Sequence, residues 1–138
     1  MPNTPQDQPS PWAADPVIRA KVLKTDVYTW EELDPKPDDY SRLIKLNWPD
    51  GVTRFPVFQF IQDPDQLRDF QQINRDYLEK VYNSDPWAIT FWWLDTNPWL
   101  GEAVPIKVLR RREGYQLLCQ ATRSLLDNSR CRWSGSRR

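Results

Sequence analysis

The sequence predicts a mainly helical α+β fold, with one β-hairpin over about 42–56 packed on a bundle of about four helices. Three observations predict it. Trp48-Pro49-Asp50-Gly51-Val52 is a turn lying between two β-leaning runs. Beyond Asp63-Pro64, the apolar residues Leu67, Phe70, Ile73, Tyr77, Leu78 and Val81 recur at helical spacing, with charges between them. Prolines 16, 64, 86 and 105 each stand where a helix would begin, a position whose backbone N–H is unpaired in any case.

In chain order, residues 1–11 hold four prolines among polar residues and read as a disordered tail. Asp15 is placed to cap a short helix starting at Pro16, with Val17, Ala20 and Leu23 or Lys24 on its inner face. Thr29 and Glu32 have the spacing of a capping box for a further helical turn over 29–33. The run 34–39, Asp-Pro-Lys-Pro-Asp-Asp, breaks it as an exposed linker.

Residues 42–48 and 52–55 form the hairpin strands, and Gly51 supplies the positive φ of the turn. Pro56 cannot donate to a ladder, so the second strand should end or lie at an edge there. If 55–60 is extended, Phe58 and Phe60 share one face and Gln59 takes the other. Gln59 is then either solvated or a buried hydrogen-bonder fixing the hairpin.

The helix from Pro64 to Val81 ends at Asn83-Ser84-Asp85, which also caps the next helix, begun by Pro86. Thr96-Asn97-Pro98 stops that one, and Trp99-Leu100-Gly101 makes a tight corner in which Gly101 takes positive φ. Pro105 begins a short helix through Arg112, Gly114 marks a break, and a final helix ends near Asp127. The chain is thus one domain over 12–126, followed by a basic, disordered tail over 127–138.

Composition narrows the function. A chain of 138 residues can bury a core without a disulfide or a metal. Mean hydropathy is −0.77, and no apolar run approaches the roughly 20 residues that span a bilayer. No secretory leader is visible at the start, so a cytoplasmic location is expected. The sequence lacks histidine, the commonest general base and metal ligand near neutrality. Cys119 and Cys131 have no metal-ligand spacing and are expected as free thiols. With no phosphate-binding loop, dinucleotide fingerprint or nucleophile elbow, neither enzyme activity nor a cofactor is expected.

The net charge of zero hides a gradient. Residues 1–40 carry four basic against eight acidic side chains, 41–100 six against eight, and 101–138 nine against three. Arg110, Arg111 and Arg112 could meet a phosphate or an acidic partner, or simply complement a helix C-terminus. Arg130, Arg132, Arg137 and Arg138 around Trp133 suit either single-stranded nucleic acid or a solubilising tail.

The densest signal is aromatic. Trp92 and Trp93 are adjacent on the Pro86 helix and about 100° apart around it, so one should lie at the core margin or face outward. Beside Trp99 and Leu100 it would build an apolar patch of the kind that marks interaction sites. Alternatively, residues 12–40 wrap back and cover it.

The ordered motifs Phe-Pro-Val-Phe-Gln-Phe (55–60), Asp-Pro-Trp-Ala-Ile-Thr-Phe-Trp-Trp (85–93) and Asn-Pro-Trp-Leu-Gly-Glu-Ala-Val-Pro (97–105) resemble the toxin-binding domain of the MbcA/ParS/Xre antitoxins over roughly 43–122. That resemblance implies a bacterial antitoxin that neutralises a cognate toxin, often a RES-type toxin that consumes NAD, by occluding its active site. It makes Trp92, Trp93, Trp99 and Leu100 apolar anchors and Arg110 and Arg111 polar contacts, with Arg132 and Trp133 able to reach a cleft. Gly51, Pro56, Gln59, Pro86, Gly101 and Pro105 would be structural. A homo-oligomer within the toxin–antitoxin complex is compatible with it.

Many relatives of that family carry an N-terminal helix-turn-helix. Residues 12–40 offer two short, proline-broken helices and net negative charge, so DNA binding does not transfer. A free-standing adaptor and an RNA-binding accessory protein using the basic C-terminal third are the other classes the sequence leaves open.

Overall fold

The computed structural model describes residues 11–34, 36–37 and 40–133, the side chains of 40 and 129–133 apart. The expected tails therefore lie partly outside the described residues, as do the side chains of Cys131, Arg132 and Trp133. The fold is α+β and 54% helical. Helices α1 (Pro16–Leu23), α2 (Pro64–Ile73), α3 (Glu79–Val81), α4 (Pro86–Leu94), α5 (Pro105–Val108) and α6 (Gly114–Trp133) accompany a small antiparallel sheet of β1 (Val27–Thr29), β2 (Leu46–Asn47) and β3 (Thr53–Pro56). Among the described residues, no helix is long and apolar enough to cross a membrane.

Helix starts follow the residue chemistry closely. Asp15, Asp63 and Asp85 each accept hydrogen bonds from two backbone amides of the following turn, and each precedes a proline at the first helical position. The same Asp-Pro device thus starts α1, α2 and α4. The inner face of α1 differs from expectation: Ile18 and Val22 are buried, whereas Val17 is 68% exposed. Those buried residues sit four apart, one position on from the expected Val17 stripe.

The sheet order is β1-β3-β2. The β2–β3 hairpin forms as expected, with Leu46 opposite Arg54 and Gly51 at φ 84°. The additional strand β1 occupies the other side of β3, where Thr29 faces Arg54. Thr29 therefore ends a strand and caps no helix. Half of the capping box survives, because Glu32 Oε1 accepts the Thr29 amide hydrogen at 2.8 Å, which lowers the Glu32 carboxyl below its ordinary pKa. The β-branched and aromatic run Val27-Tyr28-Thr29 was the competing signal, and pairing with β3 outweighs the local helix preference.

Pro56 ends β3, which is the central strand, so its place is the strand terminus and not a sheet edge. Residues Val57–Gln59 then form a 3₁₀ turn in place of the expected extended segment. That turn separates the two phenylalanines: Phe58 packs edge-on against Phe70, and Phe60 packs against Tyr28. Gln59 points inward, accepting the Ile44 amide hydrogen at 2.7 Å and donating to the Ile44 carbonyl at 3.0 Å. Its carboxamide imitates a strand partner for a stretch of backbone that has none.

Helix α2 continues into α3 through a π-helical turn, Asn74–Leu78. The amide of Glu79 reaches back to the Asn74 carbonyl, and the widened turn keeps Ile73, Asn74 and Leu78 all on the buried face. Asn83 and Ser84 take left-handed backbone conformations that close this helix, and the Ser84 amide bonds to the Glu79 carbonyl.

α4 occupies the centre. α1 packs along it, α5 abuts it, and Trp48 of the hairpin region stacks on Trp87 at 6.1 Å. α5 ends at Val108, short of the expected Arg112. Gly114 then opens α6 with no room for a side chain: a Cβ there would stand 2.0 Å from the Val108 carbonyl oxygen. α6 runs past the expected stop near Asp127 to Trp133.

Candidate functional site

The aromatic residues expected to face a partner divide into two groups. Trp92 and Trp93 are 7% and 0% exposed; both belong to the core, which corrects their assignment as anchors. The indole of Trp93 donates from Nε1 to Asn74 Oδ1 at 2.7 Å, and its ring lies 4.7 Å from Phe70. Trp92 stands perpendicular to Trp93 at 5.1 Å. Two residues 100° apart can both be buried because α4 is surrounded; its buried set also includes Trp87, Ala88, Ile89 and Thr90. α1, from the 12–40 segment, packs against α4, while Trp99 stays exposed, so neither alternative for this patch is realised whole.

Trp99 is 53% exposed. The corner that presents it is built around Asn97. The Asn97 side chain accepts the Trp99 amide hydrogen at 2.8 Å, its carbonyl accepts from Leu100 and Glu102, and its amide donates to Ala103. Gly101 and Glu102 then take consecutive positive φ values of 64° and 69°. With Asn97 itself buried, the loop is anchored from below while the indole points out. Leu100 is half-buried against the core, and the Pro98–Leu100 turn packs on α6, where Leu117 is also exposed.

Arg110 and Arg111 are exposed in the turn between α5 and α6. Backbone bonds from Arg110 and Arg111 to the Lys107 and Val108 carbonyls, and from Gly114 to Arg111, hold that turn. Its arginines therefore project from ordered backbone just beyond the C-terminus of α5, where cations also complement the helix dipole. Gly51, Gln59, Pro86, Gly101 and Pro105 occupy the structural positions expected of them.

Sequence reasoning missed Asn74 and the roles of Asn97. Asn74 lies four residues from Phe70 and four from Leu78, so a polar residue on the apolar face was the available signal. Among the described residues, no cluster of His, Cys, Asp and Glu could hold a metal ion. A shallow groove of about 350 Å³, lined by Trp30, Lys45, Thr53 and Phe55, crosses the sheet. The comparisons with known proteins give no match: no family model, curated protein or solved structure is similar to the chain.

Proposed function

We propose that this chain is a non-catalytic, cytoplasmic antitoxin-like protein that docks on a cognate toxin through the Trp99 corner and occludes the toxin's active site. The observation that carries the reading is the exposed Trp99 on a loop pinned by buried Asn97. A large aromatic held rigidly in water gains apolar burial on binding and loses little conformational freedom. Leu100, next to Trp99 in the same turn, is half-buried and adds apolar surface, and Arg110 and Arg111 offer charged contacts. The kind of partner, including a RES-type toxin that consumes NAD, comes from the motif resemblance alone.

The test is co-expression with the adjacent open reading frame, scoring growth and co-purification, with Trp99→Ala in parallel. The expected result is a neighbour toxic by itself and harmless beside this chain. Trp99→Ala should weaken the complex by about 2 kcal/mol or more, as hot-spot tryptophans do. A harmless neighbour that nevertheless binds would turn the reading into an adaptor. Full binding by Trp99→Ala would remove this surface from the interface.

A further inference from the structure

Two short segments of the chain carry opposite and unmixed charge. Residues 103–112 hold Lys107, Arg110, Arg111 and Arg112 and no acidic residue. Residues 26–34 hold Asp26, Glu31, Glu32 and Asp34 and no basic one. All of these side chains are exposed. Elsewhere ion pairs are local matches: Arg54 with Asp50, Arg68 with Asp65, Arg75 with Asp76. None of the 103–112 cations makes an ion pair or a side-chain hydrogen bond among the described residues, and neither do Asp26, Glu31 and Asp34.

Both segments stand on ordered backbone. On the basic side, bonds from the Arg110 and Arg111 amides to the Lys107 and Val108 carbonyls continue the winding of α5. Lys107, Arg110 and Arg111 therefore share one side, at i, i+3 and i+4, while Ile106, Val108 and Leu109 are buried. Like charges at that spacing repel, and a four-residue helix sums too few peptide dipoles to offset them. On the acidic side, β1 pairs with β3, the Glu32 amide bonds back to the Thr29 carbonyl, and Leu33 is buried. Each segment presents fixed charge that its own fold does not neutralise.

The complement of each segment is carried by the other, yet no ion pair joins them within the described chain. A net charge of zero leaves two copies without long-range repulsion. The same zero net charge gives a polyanion such as nucleic acid no general attraction to the chain.

We propose that copies of this chain associate head to tail, the 103–112 segment of one docking on the 26–34 segment of the next through charge–charge contacts. The contact is heterologous, so it extends from copy to copy unless a ring closes. It does not rest on the toxin docking proposed above, although Arg110 and Arg111 serve in both.

The experiment is analytical ultracentrifugation of the nuclease-treated full chain over a range of concentrations. It is run at about 10 mM salt, where the Debye length is about 30 Å, and at about 1 M, where it is about 3 Å. At low salt the weight-average mass should climb above the 16.5 kDa of one chain as concentration rises. At high salt it should stay at that value. Arg110→Glu with Arg111→Glu should be monomeric at low salt, and so should Asp26→Lys with Asp34→Lys, both with the parent's circular dichroism. Each double variant keeps one intact segment, so their mixture should form a single native contact and stop at a 1:1 pair. A misfolded variant cannot give that rescue. Arg19→Glu with Lys80→Glu makes the same charge change elsewhere and should still associate. A parent that is monomeric at both salts would overturn the proposal. So would association that survives high salt or disappears in Trp99→Ala, which would give the contact to the apolar corner. A mixture that stays monomeric, or an Arg19/Lys80 variant that does, would overturn it as well.

Discussion

Trp92 and Trp93 sit on α4 and are closed off from water, whereas Trp99, one short connection further along, is more than half exposed. All three belong to one run of aromatic sequence, and their residue type does not separate them. Their surroundings do. α4 has α1 against it, the α2–α3 helix bonded to Trp93 and α5 in contact, and only Pro86, Phe91 and Leu94 of its nine residues keep partial access to water. The 97–103 corner has a partner below it only, and Asn97 uses backbone and side chain together to keep it there. Burial of a tryptophan is therefore decided by how many elements converge on its position. Exposure of one becomes informative where the backbone beneath it is fixed, because a fixed exposed indole has nowhere to fold away.

The sharpest way to break this comparison is at Trp93. Trp93→Ala should destabilise the fold by about 3–5 kcal/mol through the cavity it leaves, and the orphaned Asn74 carbonyl adds to that loss. Urea unfolding monitored by circular dichroism measures it. A loss under about 1 kcal/mol would place Trp93 in a region able to collapse around the gap, as ordinary surface positions do. Trp93→Phe separates the two contributions, because it retains most of the packing and removes only the indole donor.

Asn97→Ala tests the other side. It removes the side-chain acceptor for the Trp99 amide, a capping interaction that costs about 1 kcal/mol to lose. The larger consequence should be local: amide exchange at Trp99 through Ala103 should quicken while that of α4 stays unchanged. Equal quickening in both segments would mean that the corner and the core open together, and the contrast between them would dissolve.

How far the sequence reveals this arrangement depends on the range of the interaction involved. The Asp-Pro helix starts at Asp15, Asp63 and Asp85 are settled within four residues and were legible. So were the hairpin turn at Gly51 and the left-handed corner at Gly101, where local sterics decide. Thr29 shows the limit. Its capping-box bond to Glu32 forms, yet pairing with β3 assigns the residue to a strand. The tryptophans of α4 were illegible for a similar reason, since periodicity describes one helix and α4 is buried by several. The register of α1 and the π-turn at Asn74–Leu78 likewise depend on what packs against them. At the candidate surface, the sequence pointed to Trp99, Leu100 and the arginines; it did not reveal that Asn97 holds the corner.

The finest probe of the contrast is Thr90, in the middle of α4. Its side chain is fully buried, and its Oγ1 is sealed from water without a hydrogen-bond partner. A threonine hydroxyl on a helix ordinarily finds the carbonyl one turn back, as Thr122 of α6 does with Leu118 at 2.8 Å. Thr90→Val keeps the branched shape and replaces an unsatisfied hydroxyl by a methyl group. The expected result is a gain of about 0.5–1 kcal/mol in urea unfolding, since an unmade buried bond is a standing penalty. The same substitution at Thr122 should destabilise, because there the hydroxyl is satisfied. If Thr90→Val instead weakens the fold, a partner for Oγ1 exists in solution, and α4 is not dry on every side. Water reaching that hydroxyl would narrow the difference between the helix and the Trp99 corner.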